Sequence, residues 1–490
     1  MKKALLLLLV TVVTAGVGFT IQTVVSEAQV AESPKRNVIF ILSDDHRYDF
    51  MSFIGKPSFL ETPNLDRLAQ GGMYFRNAFV STALCSPSRA TILTGQYAHR
   101  HGVVDNQRDV PPDTKFFPVF MQDAGYKTAF IGKWHMGDDN DSPRSGFDHW
   151  VSFKGQGTYF DPILNVNGVR SQHQAYTAEI LTDYSLQWLR QQKDQPFFLY
   201  LSHKSVHAMF EPDKDDLGRY AEAELEYPIT MADTDENYAG HPPWVREQRN
   251  SWHGVDYLYH GAMELDTFYR RYTETLYSLD KSIGRLLDYL ESSGLAENTL
   301  VIYMGDNGFS FGEHGLIDKR HMYEESMRVP MLAYAPGLIE PGTVLNKMIQ
   351  NIDLAPTLLE LAGGKFPEGT IVDGNSFLPL LRGEQVPWRD EVLYEYYWEW
   401  NFPQTPTTLG LRSERYKYIF YHGVWGEDEL FDLQEDPLEQ HNLFYSEDHQ
   451  SIVREMKQKL FDMLEATDGM NIPLRMPQGF RGGDRGPGGS

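Results

Sequence analysis

The sequence predicts an α/β protein built on a large, mixed but mostly parallel sheet flanked by helices, followed by a smaller α+β subdomain with an antiparallel sheet. Three observations carry this expectation. Continuous apolar runs of strand length alternate with segments of helical period. Four of those runs each end in a cluster of ionisable or metal-competent side chains. Beyond about Trp388 the pattern changes to shorter, aromatic strands and closes on one helix.

Taken in order, Lys2 and Lys3 precede an apolar run over 4–13, and Ser26 and Ala28 stand like the minus three and minus one positions of a signal peptidase site. Residues 1–28 therefore read as a signal peptide of an exported bacterial protein, periplasmic or secreted, with the mature chain starting near Gln29. The run is short for a membrane span, and no cysteine stands near the cleavage point to carry a lipid. A retained signal anchor is the alternative. The catalytic domain is expected over 36–387. Its first strand, 37–42, ends in Ser43, Asp44, Asp45 and His46. Residues 62–70 read as a capped helix and 116–124 as another. Strand 127–131 ends in Gly132, Lys133, Trp134 and His135. Helix 176–191 leads to strand 197–201, then Ser202, His203 and His207. A long amphipathic helix over 266–291 precedes strand 299–304, which ends in Gly305, Asp306, Asn307 and Gly308. In open α/β sheets the ligand site lies outside the carboxyl ends of the strands, so these clusters should converge. The subdomain, 388–467, has strands over 392–396, 409–411 and 416–421 and a closing helix over 452–466. A flexible tail, 468–490, is glycine-rich from 479.

With 490 residues and 41% hydrophobic content the chain can bury a large core. A net charge of -24 argues against nucleic acid as a partner. An anionic substrate must then be drawn by local cations. Cys85 is the single cysteine, which excludes an internal disulfide.

Singly, Asp44-Asp45 and Asp306-Asn307 fit solvated turns. At two strand ends they read instead as a cation site, and hard oxygen donors select calcium or magnesium over zinc. Cys85 stands in the stretch STALCSPSRATILTGQYAHRH, 81–101. With Ser86 as N-cap and Pro87 in the first turn, it would sit at the positive end of a helix, where an anion is welcome. A buried lone cysteine is otherwise a small apolar filler.

Cys85-x-Pro87-x-Arg89, then Ala90 and Thr94-Gly95, resembles without a gap over 81–96 the signature of the type I, formylglycine-dependent sulfatases of the alkaline phosphatase superfamily. Similar stretches follow at 324–336, 351–359 and 374–381, so the resemblance spans most of 36–445. Residues 85–104 and 317–323 look most like the glucosamine-6-sulfatase and related polysaccharide branches. The resemblance implies an alkaline phosphatase-like fold. It also implies oxidation of Cys85 to formylglycine (3-oxoalanine) by a maturase, and one divalent ion, usually calcium, on Asp44, Asp45, Asp306, Asn307 and the converted Cys85. Arg89 and Lys133 would hold the formylglycine, and His135 would take a proton from its hydrate. His207 and Lys319 would bind sulfate, one of them protonating the leaving group. Lys133 counts with the sulfate-binding set, and His203 and His46, with Arg47, are further candidates for substrate contact.

A hydrated aldehyde offers two hydroxyls on one carbon, one to attack sulfur and one whose deprotonation expels sulfate. The expected function is release of sulfate from a sulfated oligosaccharide or polysaccharide of glycosaminoglycan, mucin or marine type. The aromatic tract 394–402, Tyr159, Phe160 and 244–253 are candidates to line the sugar. Two alternatives stand beside it: a phosphonate monoester or phosphodiester hydrolase of the same superfamily, and a non-catalytic glycan-binding protein.

Overall fold

The Val-Ile-Phe-Ile-Leu run between Asn37 and Ser43 has no polar side chain and forms β1 (Asn37–Ser43), buried along its length in the centre of the main sheet. This computed structural model describes residues 35–107, 109–192, 195–250, 256–261 and 263–473. The expected signal peptide, the end of the tail, Trp252 and His253 lie outside the described residues. Side chains alternate across a strand. Val38, Phe40 and Leu42 accordingly join one apolar cluster, while Ile39 and Ile41 join another. Each such side chain contributes roughly 1.5–3 kcal/mol by leaving water. Strands apolar on both faces belong in a sheet covered on both faces.

The other strands of this sheet are β2 (Met73–Phe79), β3 (Lys127–Lys133), β4 (His149–Phe153), β5 (Ile163–Val166), β6 (Val169–Gln172), β7 (Phe197–Ser202), β8 (Thr299–Gly305), β9 (Met331–Tyr334) and β10 (Thr343–Gln350). Their order is β10-β2-β9-β8-β1-β7-β3-β4-β5-β6. The four strands expected to carry chemistry are thus the contiguous middle, β8-β1-β7-β3, all parallel. Reversed pairing enters at β9 and at the β4-β5-β6 edge. Strand β3 runs two residues past the expected 131, so Lys133 is itself a strand residue.

The Leu265–Ser292 helix buries Phe268, Tyr272, Leu276, Leu279, Ile283, Leu286 and Leu290, a three-to-four spacing that lays one stripe on the sheet. It also supplies a cap that the sequence did not suggest. The Pro63–Gly71 helix has no side-chain cap from Thr62; instead Asp280 accepts the amide protons of Asn64 and Leu65 at 2.8–3.1 Å.

The second sheet is antiparallel, β11 (Glu391–Tyr396), β12 (Thr408–Ser413), β13 (Tyr416–Tyr421) and β14 (Glu429–Asp432) in sequence order. One face packs on the closing Gln450–Ala466 helix through Val453, Met456, Leu460 and Leu464. Tyr394, Tyr396 and Phe431 join the main core instead, and the described residues form one compact unit. Asp468, at the start of the expected tail, pairs with Arg100 at 3.1 Å. Among the described residues no helix is long and apolar enough to cross a membrane.

Candidate active site

The loops after β8, β1, β7 and β3 do meet. The amide of Asp306 donates to Ser43 O at 2.9 Å, that of His203 to Leu42 O at 2.8 Å, and that of Asp44 to Ser205 O at 2.9 Å. These bonds hold the strand ends in register past the last ladder pair. Close approach is built into the sequence at two glycines. A Cβ on Gly132, whose φ is +125°, would fall 1.7 Å from Ser202 O, and one on Gly308 would fall 2.0 Å from Glu325 O.

Cys85 arrives from β2 by a short loop and opens the Cys85–Thr94 helix, all ten residues of which are buried. Ser86 is not its cap. Leu84 holds that position, the helix starts at Cys85, and the Ser86 hydroxyl donates to His135 O. The cause is the partner across the cleft: the β3 loop offers a carbonyl that the hydroxyl satisfies, and Asn106 Oδ1 accepts the Ser86 amide at 3.0 Å.

Carboxylate oxygens of Asp44, Asp45 and Asp306 lie within 4.8 Å of one another, and a second such group joins Asp44, Cys85 and His207. Cys85 Sγ is 3.5 Å from Asp44 Oδ1 and 2.9 Å from Lys319 Nζ. Three cations answer the three carboxylates. Arg89 donates to Asp306 at 2.8 and 3.0 Å, Lys133 pairs with Asp44, and Lys319 pairs with Asp45. Arg89 also donates to Lys133 O at 2.8 Å and to Ser202 Oγ at 2.6 Å, tying three strand ends to one guanidinium. Taking so many charges from water is costly unless each is matched.

Burial drives the titration of these groups. It pushes Asp45 up to about 7, helped by Asp44 and Asp306 and opposed by Lys319. Asp44 is also buried, but Lys133, His207, Arg89 and Lys319 together hold it well below the usual carboxylate range. Burial and the Asp44 charge push the Cys85 thiol up to about 12, so it is no thiolate at neutral pH. Burial, then Lys133, lowers His135 to about 3 and drives His207 well down. Both imidazoles are neutral. His207 Nδ1 lies 2.5 Å from Ala208 O, which makes Nδ1 the donor and leaves Nε2 as a lone pair 3.9 Å from Asp45 Oδ2. His135 Nε2 lies 3.3 Å from Asp138, and its Nδ1 has no partner among the described residues.

The donor set fits a divalent cation. Asn307 donates through Nδ2 to Asp45 at 2.7 Å and to Gly308 O at 2.8 Å, yet its buried Oδ1 has no partner among the described residues. An enclosed amide oxygen without a donor, beside three carboxylates, is what a calcium or magnesium ion would complete.

Residues 36–364 match the sulfatase family, and residues 312–466 match the N-sulphoglucosamine sulphohydrolase C-terminal family. The chain belongs to the sulfatase family. This sulfatase is 32% identical over 497 residues to the N-acetylglucosamine-6-O-sulfatase of Bacteroides thetaiotaomicron, covering 88% of this chain and 87% of that one. It is 32% identical over 413 residues to the Homo sapiens N-acetylglucosamine-6-sulfatase, covering 78% and 71%. Among solved structures, a protein in complex with its substrate D-glucosamine-2-N,6-O-disulfate matches with a TM-score of 0.79 and 29% identity, covering 90% of this chain and 100% of that one.

The residues expected to contact the substrate of the sulfatase are placed in four different ways. His46 does not offer a polar atom to a sugar: it is buried, with Nδ1 2.6 Å from Tyr303 Oη and Nε2 2.9 Å from Phe50 O. Arg47 is spent on Asp49 and Glu313 at 2.6–3.0 Å. His203 is enclosed, its two ring nitrogens without partners among the described residues. The aromatic tract divides: Tyr394, Tyr396 and Tyr397 are core, whereas Trp398 lines an open groove of about 480 Å³ together with Trp244 of the 244–253 stretch. One residue of the cleft carries no signal in its spacing. Lys204 sits between His203 and His207, buried, in a position where sequence alone suggests a surface lysine.

Proposed function

We propose that this sulfatase is an exported enzyme that releases inorganic sulfate from a sulfated hexosamine of a glycan, using formylglycine made from Cys85 by a maturase and one divalent ion, calcium. The observation that carries the reading is the meeting of Cys85 with Asp44 at 3.5 Å and Lys319 at 2.9 Å, beside the unpartnered Asn307 oxygen. The relatives named for 6-sulfated N-acetylglucosamine and the neighbour solved with a glucosamine disulfate favour a glucosamine sulfate as the substrate class.

Asp44, Asp45, Asp306 and Asn307 would hold the ion. When bound, the ion supplies positive charge for the ester oxygens and the converted side chain supplies the nucleophilic oxygen. The protein's own groups do the rest. Arg89 fixes Asp306 and the Lys133 carbonyl. Lys133 Nζ, bridged to Gln156 Oε1 at 2.5 Å, offers its charge to a sulfate oxygen. His135, neutral with a free Nδ1, has a lone pair for a proton from residue 85. Lys319 is held protonated against burial by Asp45, with Asp44 and Asp306 adding to it, so of the two sulfate-binding groups it bears a proton while His207 bears a lone pair.

Sulfate release measured by ion chromatography over a set of defined sulfated sugars tests the reading. N-acetylglucosamine-6-O-sulfate is expected to be turned over in the presence of calcium, and Cys85→Ala is expected to be inactive yet folded by circular dichroism. Undiminished hydrolysis by Cys85→Ala, or higher kcat/KM for a phosphonate ester or phosphodiester than for any sulfate ester, would overturn it.

A further inference from the structure

Each catalytic-site cation has its anion. Arg89, Lys133 and Lys319 are all within ion-pair distance of an aspartate, and the buried Lys417 of the small sheet has Glu324 and Glu439 at 3.0 and 2.7 Å. Lys204 is the exception. It is 6% exposed, yet its side chain makes no ion pair and no hydrogen bond among the described residues, its carbonyl alone accepting the His207 amide at 3.0 Å. Its Nζ lies 4.7 Å from the centroid of the Tyr159 ring, a cation–π contact, while Asp44, Asp45 and Glu211 act on the amine only from beyond ion-pair distance. A buried cation without a counter-ion is expensive, and proteins retain one where a ligand completes it.

The surroundings say which side of the cleft the amine serves. Tyr159 donates its hydroxyl to His207 O at 2.6 Å, so one aromatic ring separates Lys204 Nζ from the backbone of a residue whose imidazole faces Asp45. The segment is fixed to the metal-site strand end by Asp44 N to Ser205 O at 2.9 Å and Val206 N to Asp44 O at 2.7 Å. Tyr176 stacks near Tyr159 at 6.2 Å and 13°, and Phe160 packs on Tyr176 in turn, with Lys214 5.2 Å above its ring. This makes a cation-bearing aromatic wall beside the reacting centre. Lys133 and Lys319 are already committed to the sulfate-binding set proposed above.

Resting on the sulfatase reading above, we propose that Lys204 is a specificity-determining residue that binds a second anionic substituent of the sugar, a sulfate or carboxylate other than the one hydrolysed. Burial first, and Lys133 second, lower its ammonium to about 8 against the opposing pull of Asp44, Asp45 and Glu211, none of which is within ion-pair distance.

The test measures binding, apart from turnover. Cys85→Ala protein with calcium is titrated by calorimetry with glucosamine-2-N,6-O-disulfate and with N-acetylglucosamine-6-O-sulfate. The disulfate should bind about tenfold or more tightly, the size of a charged hydrogen bond. Adding Lys204→Met should bring the ratio of the two affinities toward one, and Lys204→Arg should restore part of it, with thermal melts reporting that all variants fold. The proposal is overturned if the disulfate has no advantage, if Lys204→Met leaves the advantage in place, or if both ligands weaken by the same factor. Failure of wild-type enzyme to hydrolyse either sugar would instead count against the proposed function.

Discussion

Cys85 and Asn307 are both held in the fold in a state unlike their state in water. The thiol is buried, close to Asp44 and pushed to about 12. Unconverted protein is therefore expected to resist alkylation by iodoacetamide at pH 8 while native and to react fully in guanidinium; rapid native labelling, followed by peptide mass spectrometry, would contradict the burial. Asn307 keeps an amide nitrogen on Asp45 and leaves its oxygen bare. Asn307→Ala should weaken calcium binding by tenfold or more, roughly the 1.5–3 kcal/mol of a charged polar contact. The Cys-x-Pro-x-Arg spacing made Cys85 and Arg89 legible in the sequence. The strand-end rule did the same for the carboxylates, because a parallel sheet brings its carboxyl ends together whatever the loops do. His46 misled for a local reason: it follows the aspartate pair, but its ring turns back onto Tyr303 of the adjoining strand, a direction that residue order does not encode.

Elements were read more securely than their ends. All four central strands and the two longest helices lie where their periodicity put them, since burial on both faces of a strand or along one stripe of a helix leaves a pattern in the residues themselves. Caps do not, when the capping group comes from elsewhere in the chain, as Asp280 does for the Pro63–Gly71 helix. Leu460 is fully buried where the closing helix meets the small sheet. Leu460→Ala should cost about 2–5 kcal/mol in urea melts, the cost of a core cavity; a loss below about 1 kcal/mol would mean that the helix is not part of the cooperative unit. His99 joins three elements. Its Nδ1 lies 2.6 Å from Glu395 of β11 and its Nε2 2.9 Å from Thr467 O after the closing helix, so both nitrogens face acceptors. Burial opposes its charge, but Glu395 and the Thr467 carbonyl raise it above 6.5. A raised folded value gives stability that is complete below the unfolded pKa and lost as pH rises through the folded one. Urea stability should therefore fall as pH rises above about 6.5, and His99→Gln should flatten that fall.

For the whole molecule, charge and metal are linked. A surface of net -24 repels sulfated glycans at long range, so affinity must be concentrated in the few buried cations that the strand ends hold. Easing the mutual repulsion of Asp44, Asp45 and Asp306 would be the share of the proposed ion. Calcium at a hundred times its dissociation constant should raise stability by about 2.7 kcal/mol, and EDTA should reverse the shift in Tm; a Tm indifferent to both would count against a resident divalent ion. The composition bounded this behaviour, but it was silent on which lysines are buried and which of them lack an anion.

The helix that carries Cys85 has no residue at the surface, and this sets a schedule for the chain's biosynthesis. A thiol sealed beneath Lys319 and Asp44 is out of reach of another protein's catalytic groups, so any enzyme that converts it has to meet the polypeptide before the sheet closes. On the proposed formylglycine mechanism, molecules that fold first would stay inert, and the specific activity of a preparation would record how that race between modification and folding was run.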